Sequence, residues 1–158
     1  MIIRKSTWGD LDRMMAIYAH ARRFMAEHGN PNQWGPTHWP PEALIHSDIR
    51  SGNSYVCVDD GDRVVGFVGY GHHGPEDPDT GEVYALYVLP EYQGMGVGRQ
   101  LLDAALDKLS AFPHLCLWAV KGNERAIRFY EKNGFRLNGE EKFVSSISAG
   151  GVKMIKER

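Results

Sequence analysis

Between an apolar run that Pro90 brings to a stop and an amphipathic segment that begins at Val97, the chain reads Gln93-Gly94-Met95-Gly96-Val97-Gly98-Arg99. No other feature constrains the fold as much, because it fixes a switch from extended chain to helix at one point. Glu82 to Leu89 reads as a strand ahead of the glycines. Behind them Val97, Leu101, Leu102, Ala105, Leu106 and Leu109 trace one face of a helix. Backbone N–H groups at a helix start have no intrahelical acceptor, and the helix dipole adds positive potential there. A glycine turn in this place can therefore wrap a phosphate or pyrophosphate, although glycines also occur there for the turn alone. Spacing narrows the ligand. The dinucleotide fingerprint GxGxxG needs glycine where Arg99 or Leu101 stands, and a P-loop needs Gly-Lys where Gly98-Arg99 stands. What remains is Gln-x-x-Gly-x-Gly, at Gln93, Gly96 and Gly98.

The rest of the chain supplies a sheet and its helices. Ile2 to Lys5 is a short strand, and Thr7-Trp-Gly-Asp10 resembles a capping box ahead of a helix on which Leu11, Met14, Met15, Tyr18, Ala21 and Met25 share a face, ending near Gly29. Residues 30–41, rich in Pro, Gly and Asn, predict a loop carrying Trp34 and Trp39, and a second helix runs from Pro41 or Glu42 to Gly52. Strands follow at Ser54 to Val58 and Arg63 to Tyr70, joined by an Asp-Gly turn whose acidic residues need no metal. Gly71 to Gly81 reads as a loop. Leu115 to Val120 is apolar throughout, as in a strand covered on both faces. A helix from about Asn123 to Lys132 stops at Asn133-Gly134, and Phe135 to Leu137 with Phe143 to Ser148 or Val152 to Ile155 provides the last strands. This order predicts a mixed α/β (α+β) domain spanning residues 1–158.

Composition bounds the function. A formal net charge of −2 and a pI near 6.4 give no electrostatic footprint for nucleic acid or an anionic membrane. The two cysteines, Cys57 and Cys116, lie alone in apolar runs, without zinc spacing or a disulfide framework. They read as reduced core thiols of a cytoplasmic protein. No apolar stretch approaches the ~20 residues of a membrane span.

The segment from Glu82 through Leu102 resembles, nearly throughout, the central motif of the GNAT family of N-acetyltransferases, in which such a loop and the helix after it hold the pyrophosphate of acetyl-coenzyme A. Asn123-Glu-Arg-Ala-Ile-Arg-Phe-Tyr130, followed by Gly134-Phe135, is similar to that family's second motif. The resemblance implies a mostly antiparallel sheet of about six to seven strands flanked by about four helices. It implies acetyl-CoA as co-substrate, held by Gln93, Gly94, Met95, Gly96, Val97, Gly98, Arg99, Asn123 and Tyr130, and by backbone groups of Leu86, Tyr87 and Val88 where two strands splay apart. No metal is implied. Donors preorganised at a developing oxyanion are worth ~3 kcal/mol of barrier.

By the same resemblance Tyr130 is the acid for the thiolate leaving group, a role that suits a phenol with a pKa near 10; on its helix it could equally be packing. Asn123 is also a natural N-cap. Glu82 matches a glutamate that serves some members as general base for the ammonium, while a strand-end glutamate is as often simply solvated. The branch acting on ribosomal-protein N-termini carries a carboxylate where this chain has Trp118. Cys116 has no charged sequence neighbour and reads as inert, so direct transfer in a ternary complex is favoured over an acetyl-cysteine. His72 and His73 read as loop histidines. The acceptor, an amine of a small molecule or protein, is expected near Tyr18 and the Trp34–Trp39 loop, which could also be a lid or a homodimer contact. The rival readings are a non-catalytic acyl-CoA-binding or sensing domain and a protein N-terminal acetyltransferase.

Overall fold

A computed structural model describes residues 1–28, 42–144 and 149–157. Its strands are β1 (Ile2–Lys5), β2 (Ser54–Val58), β3 (Val64–Gly74), β4 (Asp77–Val88), β5 (His114–Val120), β6 (Arg136–Val144) and β7 (Ala149–Glu157). Its helices are α1 (Leu11–His28), α2 (Glu42–Ser51), α3 (Val97–Lys108) and α4 (Glu124–Lys132). The strands form one sheet in the order β1-β2-β3-β4-β5-β7-β6. Every neighbouring pair is antiparallel except β4 and β5.

Each face of the sheet carries its own core. Met14, Ile17 and Tyr18 of α1 and Ile45 and Ile49 of α2 bury Val56, Val58, Val64 and Phe67 on one side. On the other, α3 lays Val97, Leu101, Leu102 and Ala105 over Val83, Leu115 and Leu117, with Phe129 and Tyr130 of α4 alongside. Strand β3 is buried over its first eight residues because helices cover both its faces. At the amino terminus the Thr7 amide donates to Asp10 Oδ2 at 2.8 Å, and Arg4 grips the same carboxylate with bonds of 2.8 and 2.9 Å. That arrangement satisfies the orphan donor ahead of α1.

Two stretches depart from the sequence reading. Gly71 to Gly81 is not a loop: β3 and β4 run on through it and meet in a hairpin at Gly74 and Asp77. Its prolines are tolerated because the long arms reach the margin of the sheet, where a missing N–H costs little. Leu137 and Phe143 belong to one strand, β6, whose register breaks between Leu137 and Glu141, so the turn-like Asn138-Gly139 is a bulge within a strand.

Candidate active site

Strands β4 and β5 pair only from Thr80–His114 to Val83–Leu117. Beyond that β4 stays on β3 as far as Val88, while β5 continues on β7 to Val120, so the sheet opens along a seam. The Leu89 amide donates to the Val65 carbonyl at 2.9 Å. Alternation in an antiparallel ladder then turns the backbone groups of Leu86 and Val88 into the seam and those of Tyr87 toward β3. The expectation for Tyr87 is corrected accordingly: its backbone serves the sheet. Val88's carbonyl accepts from Gln93 Nε2 at 3.1 Å, so the glutamine side chain ties the turn to the strand it leaves.

The glycine turn closes one end of the seam. Gly94 and Gly96 stand at φ of 83° and 82°, a region that costs an L-residue about 1–2 kcal/mol, and Gly96 is the N-cap of α3. The Gln100 amide makes the helix's first intrahelical bond, to Gly96 at 3.0 Å. The amides of Val97, Gly98 and Arg99 therefore point out of the helix start. Arg99 is 74% exposed and only loosely drawn to Asp103 at 3.9 Å. Met95 projects its side chain to solvent and Val97 buries its own in the core, so both can contribute backbone alone.

The seam and the turn line one cleft of about 460 Å³ together with Gln93, Trp118, Asn123, Phe129 and Tyr130. Asn123 caps α4 by accepting from the Ala126 amide at 3.3 Å. Tyr130 is edge-on to Phe129 and Phe135, and burial pushes its phenol above the ordinary tyrosine range, so it stays protonated at neutral pH. Trp118 buries an indole N–H that has no partner among the described residues, while Lys142 sits 4.1 Å over its ring.

Glu82 lies one residue before the part of β4 that lines the cleft. Its carboxylate is 2.7 Å from His73 Nδ1 and 3.9 Å from Cys116 Sγ. Two readings change here. His72 and His73 belong to β3 and are not loop histidines, and Cys116 has charged neighbours in space that its own strand does not supply. The thiol is nevertheless pushed up to about 12, chiefly by burial and then by Glu82, so inertness as a nucleophile holds. No local pattern could have joined residues from three strands. Tyr18 is not at an open acceptor surface: it is buried and stacks edge-on against Tyr87 with centroids 4.9 Å apart. Trp34 and Trp39 lie outside the described residues.

Comparisons with known proteins agree with this geometry. The sequence model of the Acetyltransferase (GNAT) family matches residues 13–135, and the chain belongs to that family. It is 33% identical over 105 residues to the N-alpha-acetyltransferase RimI of Mycobacterium tuberculosis, covering 66% of each chain. It is 33% identical over 102 residues to the peptidyl-lysine N-acetyltransferase YjaB of Escherichia coli, covering 64% of this chain and 61% of that one. The chain thus spans somewhat under two thirds of these relatives' length, and 34% of the Mycobacterium leprae protein ML0378, to which it is 35% identical. Among solved structures, PH1933 from Pyrococcus horikoshii superposes with a TM-score of 0.76 at 26% identity, over 99% of this chain and 98% of that one. A Thermoplasma acidophilum N-acetyltransferase in complex with coenzyme A shares the fold, with a TM-score of 0.75 at 18% identity over 99% and 98% of the two chains.

Proposed function

We propose that the chain transfers an acetyl group from acetyl-coenzyme A to a primary amine of a small molecule or protein, by direct attack with both substrates bound. One observation carries the reading: the parted strands, the left-handed glycine turn and Tyr130 converge on a single cleft. The residues fit the co-substrate. The outward amides of Val97, Gly98 and Arg99, with the Arg99 guanidinium, suit a pyrophosphate, and the seam groups of Leu86 and Val88 suit an extended amide-bearing arm and a polarised carbonyl. Gly94, Gly96 and the backbone of Met95 shape the turn, Gln93 braces it and Asn123 borders it.

When bound, acetyl-coenzyme A supplies an acetyl group activated as a thioester. Glu82 accepts the ammonium proton, directly or through water, because an amine with a pKa near 10 attacks only after losing it. His73, bonded to that carboxylate, holds it in place. Tyr130 gives its proton to the departing sulfur. A cytoplasmic setting agrees with two free, buried thiols, and no helix among the described residues is long and apolar enough to cross a membrane.

RimI is an N-alpha-acetyltransferase and YjaB a peptidyl-lysine N-acetyltransferase, yet Trp118 of this chain, with a lysine over its ring, stands in the cleft where the N-terminal branch carries a carboxylate. This favours a different acceptor geometry from that branch. Calorimetry with acetyl-coenzyme A, followed by a thiol-release screen across polyamines, amino acids, aminoglycosides and short peptides, tests the reading. Binding with turnover of one class is the expected outcome. Binding without turnover on any amine supports the sensing domain instead, and no binding at millimolar concentration overturns both.

A further inference from the structure

His73, Glu82 and Cys116 come from three adjacent strands, and their Nδ1, carboxylate oxygen and Sγ atoms all lie within 4.8 Å of one another. The backbone aims them there. Glu82 and Cys116 are register partners across the parallel β4–β5 pair. In β3 Gly71 is the register partner of Glu82, and His73, two residues on, lies on the same face of the sheet as Gly71 and therefore as Glu82. Glu82 Oε1 is 2.7 Å and Cys116 Sγ 3.3 Å from the same nitrogen, with Sγ and Oε1 3.9 Å apart.

Without a metal, Nδ1–H donates to Glu82 Oε1 at 2.7 Å, and the Cys116 thiol donates to the same oxygen in a long bond of 3.9 Å. A single cation at the centre satisfies all three. Zinc bonds of about 2.0–2.3 Å at tetrahedral angles set nitrogen, oxygen and sulfur ligands about 3.3–3.6 Å apart, which these side chains reach by shifts of a few tenths of an ångström. Charge also balances: a thiolate, a carboxylate and a neutral imidazole offset a divalent ion, so a neutral unit replaces charges in a nearly dry site. The Glu82 and His73 side chains keep 16% and 19% of their surface, leaving an open side for a fourth ligand from solvent. The soft sulfur excludes magnesium and calcium and selects zinc or a similar borderline ion.

We propose that His73 Nδ1, a Glu82 carboxylate oxygen and Cys116 Sγ form a three-ligand site for one zinc-like divalent ion, with the fourth position held by water. Binding displaces the thiol proton to solvent and forms three protein–metal bonds, with no change of oxidation state. The bound ion also takes the Glu82 carboxylate away from proton acceptance and so inhibits acetyl transfer. That second step rests on the function proposed above, and the first does not.

Cobalt(II) is the direct probe on the intact, reduced chain. The expected spectrum has a thiolate-to-metal charge-transfer band in the near ultraviolet and tetrahedral bands in the visible, saturating at one ion per chain. Zinc, followed by competition with a chromogenic chelator, is expected to bind at about micromolar or tighter and to release about one proton. His73→Gln and Cys116→Ser are expected to weaken it at least ~10-fold while acetyl-coenzyme A binding is retained. No zinc binding at ~100 μM, a cobalt spectrum without the thiolate band, or unchanged affinity in a variant that still binds acetyl-coenzyme A overturns the site. The wild-type spectrum decides the matter even if Cys116→Ser does not fold. Zinc that binds without slowing turnover overturns the inhibitory step and the role of Glu82 as base, and leaves the metal site standing.

Discussion

At the scale of single residues, environment rather than identity decides what a side chain does. Tyr130 was legible as a motif position, and only the structure shows that burial beside Phe129 and Phe135 tightens the phenol's hold on its proton. Tyr130→Phe is expected to lower kcat by ~100-fold in a thiol-release assay, with KM for acetyl-coenzyme A changed by no more than ~2-fold. Asp48 gave no signal in the sequence. It faces Gly69 from α2, and burial pushes its carboxyl up to about 7 from an ordinary 3.8. Between those values the folded state holds more protons than the unfolded chain, so Asp48 makes stability fall as pH rises through that window. Asp48→Asn is expected to match wild type near pH ~4 and to raise Tm by about 3 °C near pH ~8, read by thermal melts across the range.

At the scale of elements, the helices and apolar strands were readable because each carries its own periodicity or cap, as α3 and β5 do. The hairpin arms at Gly71 to Gly81 were not, since glycine and proline punctuate a sequence whether or not a partner strand absorbs them. The glycine turn is the element on which the proposed binding depends. Gly96→Ala adds strain of about 1–2 kcal/mol at the N-cap and is expected to weaken acetyl-coenzyme A about 10-fold by calorimetry. Gly139, at φ 90° with open space around it, provides the control: Gly139→Ala is expected to lower Tm with the affinity unchanged.

At the scale of the whole molecule, the seam makes the candidate site, and it exists because β4 and β5 share only four register pairs before different partners take them. Hydrogen exchange reads this directly. The amides of Leu86 and Val88 are expected to exchange fast in the free protein and slow with acetyl-coenzyme A present, while Tyr87, turned toward β3, stays slow in both states. Slow exchange at Leu86 without ligand would show the seam closed. By itself the sequence determined the helices and the apolar strands, the strand-to-helix switch at Gly96 and the family that shares it, because those signals lie within a few residues of one another. The tertiary structure alone decided which backbone groups of β4 turn into the seam, that Tyr18 supports Tyr87, and that His73, Glu82 and Cys116 meet. Those facts depend on strand register and packing, which pair residues distant along the chain and leave no local pattern to read.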